Sequence, residues 1–261
     1  MLIVDIDLLL LISIGFFAFC GGLIDAAVGG GGLVQLPALL HAFPQQPLAT
    51  VLGTNKIAAI SGTLSSAFAY FKKVTIPWKL ILPTMLAAFI FSFLGAMSVS
   101  FIPKEPMRYI VFFLLILMAI YTFSKKDLGQ VHTTLQAGKK EVLLGIIAGA
   151  AIGYYDGIFG PGTGSFLLFM FVKIFAFDFL HASASAKLVN VATNSASILF
   201  FIPTGHVLWM IGLTLAICNI CGSLLGTTLA LRYGSGFIRI FFLILLIFLI
   251  GRMGYGLFFS P

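Results

Sequence analysis

Charge is scarce in this chain. Asp, Glu, Lys and Arg together make up 9% of the 261 residues, while 60% are hydrophobic and the mean hydropathy is +1.13. A soluble domain carries about 25% charged residues, so a water-soluble globular fold is excluded and the chain reads as an integral membrane protein. Stretches such as 80–102 and 237–259 are each long enough to cross a hydrocarbon core that takes about 20 residues of helix. Cysteine is nearly missing too. Cys20, Cys218 and Cys221 all lie inside apolar segments, which leaves no disulfide framework. Cys218 and Cys221 form a CxxC with no other soft ligand nearby in sequence, and they read as small residues at a helix contact. The four histidines, His41, His132, His181 and His206, show no metal-ligand spacing. No Ser-His-Asp, paired-carboxylate or HExxH arrangement is present, so the sequence carries no enzyme signature and implies no cofactor.

The net charge of +7 would suit nucleic acid, but the basic residues stand in short runs between hydrophobic segments. Lys72, Lys73 and Lys79 form one group, and Lys125, Lys126, Lys139 and Lys140 another. That is the pattern of cytoplasmic anchoring, so a lipid bilayer is the expected partner and nucleic acid is not. The first segment has no basic region ahead of its apolar run, and a cleaved signal peptide is not expected.

What the chain does contain, it contains twice. Asp25 and Asp156 are 131 positions apart, and so are Lys56 and Lys187, Trp78 and Trp209, and Arg108 and Arg239. Gly22/Gly153, Gly29/Gly160, Gly31/Gly162, Ser92/Ser223 and Gly95/Gly226 keep the same offset. With two tryptophans and four arginines in all, agreement on one offset identifies a tandem duplication. The expected organisation is a first transmembrane repeat at 1–123, a cytoplasmic linker at 124–141 (SKKDLGQVHTTLQAGKKE), and a second transmembrane repeat at 142–261. Helices are expected at 8–27, 33–43, 53–71, 80–102 and 107–123, then at 142–159, 165–177, 182–202, 208–231 and 237–259.

The second helix of each set is short and follows a glycine cluster, GGGG at 29–32 and GPGTG at 160–164. Such backbone cannot face lipid, because its amides would lack partners, so each short helix begins at something polar. If these helices turn back, the chain has eight spans and parallel repeats; if they cross, it has ten and the repeats are inverted. The distribution of Lys and Arg favours the inverted arrangement, with both termini outside. The expected fold class is therefore an all-α polytopic membrane protein of two tandem repeats, with eight to ten transmembrane helices including short broken or re-entrant ones.

Within the spans the ionisable residues are few, chiefly Asp25, Lys56, Asp156 and Lys187. A lysine at a helix centre costs about 2.5–3.5 kcal/mol on insertion scales, so two of them need a reason. One reason is architectural: Lys56 pairs with Asp25 and Lys187 with Asp156, each pair locking its own repeat. The other is functional, with the lysines neutralising an anion in a central cavity. Thr54 and Asn55 would assist in GTNK, and Asn190 and Asn194 in KLVNVATN, where both share a helical face with Lys187. The glycine loops offer a second positive element. Gly30, Gly31, Gly162 and Thr163 stand at helix starts whose free amides attract anions, although tight helix packing through small residues is the alternative. Asp25 and Asp156 are candidates either for ion pairing or for carrying a proton against the anion. Trp78 and Trp209 open spans, where amphipathic rings anchor at the interface, and Arg108 and Arg239 open the last helix of each copy as end charges.

The strings GGLIDAAVGGGGLVQLPALL and LGTNKIAAISGTLSSAFAYF in the first half, with GYYDGIFGPGTGSFLLF and AKLVNVATNSASILFF in the second, together resemble the sulfite exporter TauE/SafE family of membrane permeases. The resemblance spans both halves. It implies a multi-pass permease of the plasma (inner) membrane whose substrates are small sulfur oxyanions or organosulfonates, such as sulfite or sulfoacetate. A secondary active transporter exporting such an anion is the reading it favours. An anion channel, or a non-transporting scaffold with structural Lys–Asp pairs, is the alternative. Whether copies of the chain associate with one another is open at this stage.

Overall fold

The computed structural model describes residues 7–102, 104–124, 138–233 and 236–258. Most of the expected linker lies outside the described residues, as do His132 and the side chains of Arg108 and Arg239. The described residues form α-helices joined by short turns, with no strand among them. The helices are α1 (Leu8–Val28), α2 (Gly31–Ala42), α3 (Leu48–Phe71), α4 (Trp78–Ser98), α5 (Lys104–Ser124), α6 (Lys139–Ile158), α7 (Thr163–Lys173), α8 (Phe179–Phe201), α9 (Trp209–Tyr233) and α10 (Gly236–Phe258). A short 3-10 turn, Val99–Phe101, extends α4.

Each expected helix is present, and the boundaries that differ do so for local reasons. The third begins at Leu48 rather than 53, because Pro47 stands extended as its N-cap and its carbonyl accepts from the Thr50 and Val51 amides. The helix runs through Gly53, which lies directly under the His206 carbonyl. The seventh stops at Lys173 rather than 177. Ala176 has φ 52°, and the Phe177 amide folds back to the Phe171 carbonyl. Side-chain caps open two others: Asp7 accepts from the Leu9 amide ahead of α1, and Asp178 from the His181 amide ahead of α8.

Among the described residues, four helical stretches are long and apolar enough to cross a membrane: Leu8–Val28, Trp78–Phe101, Lys139–Ile158 and Trp209–Tyr233. They pack in two couples, α1 with α9 and α4 with α6, at glycines that admit the opposing backbone. Gly222 sits on the Phe19 carbonyl and Gly226 on the Leu23 carbonyl, so α1 and α9 run in the same direction. Gly153 on Ala88 and Gly157 on Ser92 give α4 and α6 a common direction as well. The contacts recur at the offset of the sequence repeats. Gly22 meets the Asn219 carbonyl where Gly153 meets that of Ala88, and Gly226 meets Leu23 where Gly95 meets Tyr154.

Between these couples lie α3 and α8, which run in opposite directions. Gly53 near the start of α3 touches Phe201 at the end of α8, whereas Thr63 further along α3 shares the Asp25 carboxylate with Lys187 nearer the start of α8. These two helices bury most of the polar side chains, including Thr54, Asn55, Lys56, Ser183, Lys187 and Asn194. The outer helices instead expose large apolar rows, such as Leu82, Leu86, Ile90 and Leu94 on α4, and Met210, Leu213, Ile217 and Leu224 on α9. Rows of that size belong against lipid, and the protein is a multi-pass membrane protein. Trp78 and Trp209 open α4 and α9 half-exposed.

The short helices α2 and α7 have 12 and 11 residues. At 1.5 Å per residue they reach about 16–18 Å, well short of a hydrocarbon core of about 30 Å. Helix α2 folds back along α1, with both Gly31 and Gln35 packed against Gly21.

Candidate functional site

Both membrane lysines are in ion pairs, and both pairs cross between the two halves of the chain. Lys56 Nζ of α3 lies 2.6 Å from Asp156 Oδ2 of α6, and the two side chains are only 3% and 2% exposed. Lys187 Nζ of α8 lies 2.7 Å from Asp25 Oδ2 of α1, and the lysine also donates to the Asp25 carbonyl. The pairing expected within each half, Lys56 with Asp25 and Lys187 with Asp156, is therefore corrected to its opposite. The reason is axial: Asp25 sits level with Thr63, two turns of α3 beyond Lys56, and there Lys187 of α8 reaches it instead. Either charge alone at this depth would be prohibitively desolvated, and the pairing neutralises it.

The two glycine turns meet beside these pairs. The Ser165 amide donates to the Gly29 carbonyl at 3.0 Å and its hydroxyl to the Val28 carbonyl at 2.6 Å, which ties the start of α7 to the end of α1. Gly29, at φ 77°, lies so close to Gly164 that neither has room for a side chain. At Gly160 a Cβ would stand 3.2 Å from Lys56 Nζ, so a side chain there would press on that ion pair. Two tyrosines pin the turns from outside: Tyr70 donates to the Ala26 carbonyl and Tyr155 to the Pro161 carbonyl.

A small cavity opens at this junction, between Asp25, Gly29, Gly164, Leu168, Ser183 and Lys187. Its volume gives room for about one water molecule. The Lys187–Asp25 pair borders it, and the Asp25 side chain keeps 14% of its exposure. Lys56 and Asp156 do not line it.

A family model described as sulfite exporter TauE/SafE matches residues 14–253, a span that contains both ion pairs and both glycine turns. The chain belongs to the sulfite exporter TauE/SafE family. Curated relatives of this TauE/SafE protein carry the name probable membrane transporter protein. One from Haemophilus influenzae is 32% identical over 253 residues, covering 97% of this chain and 96% of the relative. ORF9 from Sinorhizobium sp is 35% identical over 223 residues, covering 85% and 84%. YfcA from Escherichia coli strain K12 is 33% identical over 231 residues, covering 88% and 84%. No solved structure matches.

The remaining expected site residues of this TauE/SafE member fall in several places. Thr54 donates to the Thr50 carbonyl and accepts from the Leu208 amide, which commits it to holding α3 against the start of α9. Asn55 is buried, and its Oδ1 has no partner among the described residues. Asn190 and Asn194 bond to each other along α8, with Thr193 joining the same Asn190 oxygen. Gly30 packs under the Phe242 ring, and Gly31 against Gly21 and the Asp25 Cβ. Gly162 caps α7 at φ 83°, and the buried Thr163 hydroxyl has no partner among the described residues.

Three polar residues at the junctions escape the sequence reading. Ser183 lines the cavity one turn before Lys187, in HASASAK, where the run of small residues reads as packing. Gln35 is buried on α2, and its Oε1 accepts from Asn219 Nδ2 of α9. A lone glutamine in the apolar run GGLVQLPALL and the asparagine in CNIC are the signals that could have found them.

Proposed function

We propose that this protein is a secondary active transporter that exports a small sulfur-containing oxyanion, such as sulfite or an organosulfonate, across the plasma (inner) membrane. Membership of the sulfite exporter family supports the substrate class. The antiparallel run of α3 and α8 supports two inverted repeats with the site where they meet.

The observation that carries the reading is the inequality of the two ion pairs. Lys187–Asp25 borders a cavity at the meeting of the glycine turns and its aspartate is 14% exposed, while the Lys56 and Asp156 side chains are 3% and 2% exposed. Lys187 is then the principal anion ligand, with Asp25 as the standing counter-ion of its ammonium. Lys56, Thr54 and Asn55 support the first half of the same region, and Asn190, Asn194, Gly162 and Thr163 the second. Asp25 is the acidic group placed to carry a coupling proton. A second reading, a channel or a non-transporting scaffold, draws on the fact that both lysines are already neutralised.

Counterflow of labelled sulfite in proteoliposomes containing the purified protein tests this. Saturable exchange of labelled for unlabelled sulfite is expected. Linear, non-saturating flux would make the protein a channel, and no flux of sulfite or sulfoacetate would leave the scaffold.

A further inference from the structure

We propose that Ser183 is a ligand of the transported anion, closing with Lys187 on a singly charged oxyanion; this rests on reading the cavity as the transport site. Ser183 precedes Lys187 by one turn of α8, so the two side chains share a face, and both line the cavity. Ser183 is 2% exposed. A helical serine or threonine ordinarily satisfies its hydroxyl by bonding back to a carbonyl three or four residues earlier. Thr54, Ser195, Thr214 and Thr227 all do this here. Ser183 does not: its Oγ is buried with no partner among the described residues. A buried hydroxyl left unbonded beside an ammonium at a cavity wall is a donor awaiting an acceptor.

Lys187 contributes the second donor. Its ammonium has three N–H groups, of which two go to the carbonyl and the carboxylate of Asp25. The third N–H and the Ser183 hydroxyl together offer two hydrogen bonds to one oxyanion. Because Asp25 already balances Lys187, an incoming monoanion leaves one net negative charge in the site and a dianion leaves two. Uncompensated buried charge is strongly unfavourable, so the arrangement selects the singly charged species. The other half has no such clamp. Leu52, a buried apolar residue, stands one turn before Lys56 where Ser183 precedes Lys187.

The test compares Ser183→Ala and Lys187→Gln with the wild-type chain, using sulfite at mildly acidic pH, where its singly protonated form predominates. Ser183→Ala removes a hydroxyl that has no partner among the described residues, so the melting temperature without anion should not fall. The apparent affinity for sulfite should weaken about tenfold, as for a lost hydrogen bond to a charged ligand, with Vmax kept and the sulfite-induced rise in melting temperature reduced. Excess sulfate, a dianion, should not compete. An unchanged KM in Ser183→Ala overturns the proposal. If Lys187→Gln is impaired beside it, the transport-site reading survives without Ser183; if neither variant changes, that reading fails as well. Competition by sulfate as strong as by unlabelled sulfite overturns the selection of charge.

Discussion

Lys187 and Asp25 are separated by 162 residues of chain and by 2.7 Å in space. The counterpart pair, Lys56 and Asp156, closes a separation of 100 residues to 2.6 Å. Each half of the protein thus supplies the counter-ion for the other half's lysine, and the two charges are neutralised only when both halves are assembled. Within that exchange the pairs differ in access, the Asp25 side chain being 14% exposed and that of Asp156 2%.

The more deeply buried pair, Lys56 and Asp156, should matter for stability before it matters for transport. Lys56→Gln leaves Asp156 as an uncompensated buried carboxylate, a change that costs about 3–5 kcal/mol. The melting temperature and yield of solubilised protein should drop sharply, and Asp156→Asn added to Lys56→Gln should restore most of both. Failure of the second substitution to rescue the first would show that the pair is not the source of the loss.

The junction of the glycine turns should tolerate no side chain. Gly29→Ala combines a positive φ with overlap against the Gly164 backbone, together about 2–5 kcal/mol. Gly205 supplies the control, because its φ is 76° but nothing lies within 4 Å of a Cβ there. Gly205→Ala should therefore lose only the backbone term, about 1–2 kcal/mol. Equal melting temperatures for the two variants would contradict the contact between the turns.

Proton coupling, if it runs through these carboxylates, should run through the one at the cavity. Asp25→Asn should abolish the response of sulfite flux to an imposed pH gradient while flux down a sulfite gradient continues. A response fully retained with both Asp25 and Asp156 changed to Asn removes these residues from coupling.

The inverted arrangement places both chain ends outside and the 124–141 segment in the cytoplasm. A reporter that fluoresces only in the cytoplasm should be dark when fused at Pro261 and bright when inserted in that segment. Bright fluorescence from the Pro261 fusion would eliminate the arrangement.

Much of this layout is written in the spacing of residues that an apolar chain uses sparingly. The glycine clusters at 29–32 and 160–164 mark the breaks before α2 and α7, because unpaired backbone cannot face lipid. GTNK and KLVNVATN likewise mark the two helices that bury polar groups. Which aspartate each lysine finds was not legible. It depends on the level at which Asp25 meets α3, beside Thr63 rather than Lys56, and nothing local to Lys56 or Lys187 encodes that level. The start of α3 was obscured by Gly53, which reads as a breaker but serves as a contact under the His206 carbonyl. Ser183 was invisible for a different reason: serine is common at helix contacts, and only the assembled structure reveals that its hydroxyl has no partner among the described residues.

The central claim is that Lys187 binds the anion rather than merely neutralising Asp25. Sulfite flux and solubilised melting temperature, measured together for Lys187→Gln, Asp25→Asn and the double variant, test it most directly. Lys187→Gln should lower apparent affinity or turnover at least about tenfold, which is about 1.4 kcal/mol, and should also lower the melting temperature by stranding Asp25. Adding Asp25→Asn should restore the melting temperature and leave the flux impaired. Recovery of both in the double variant would contradict the account and reduce the pair to architecture.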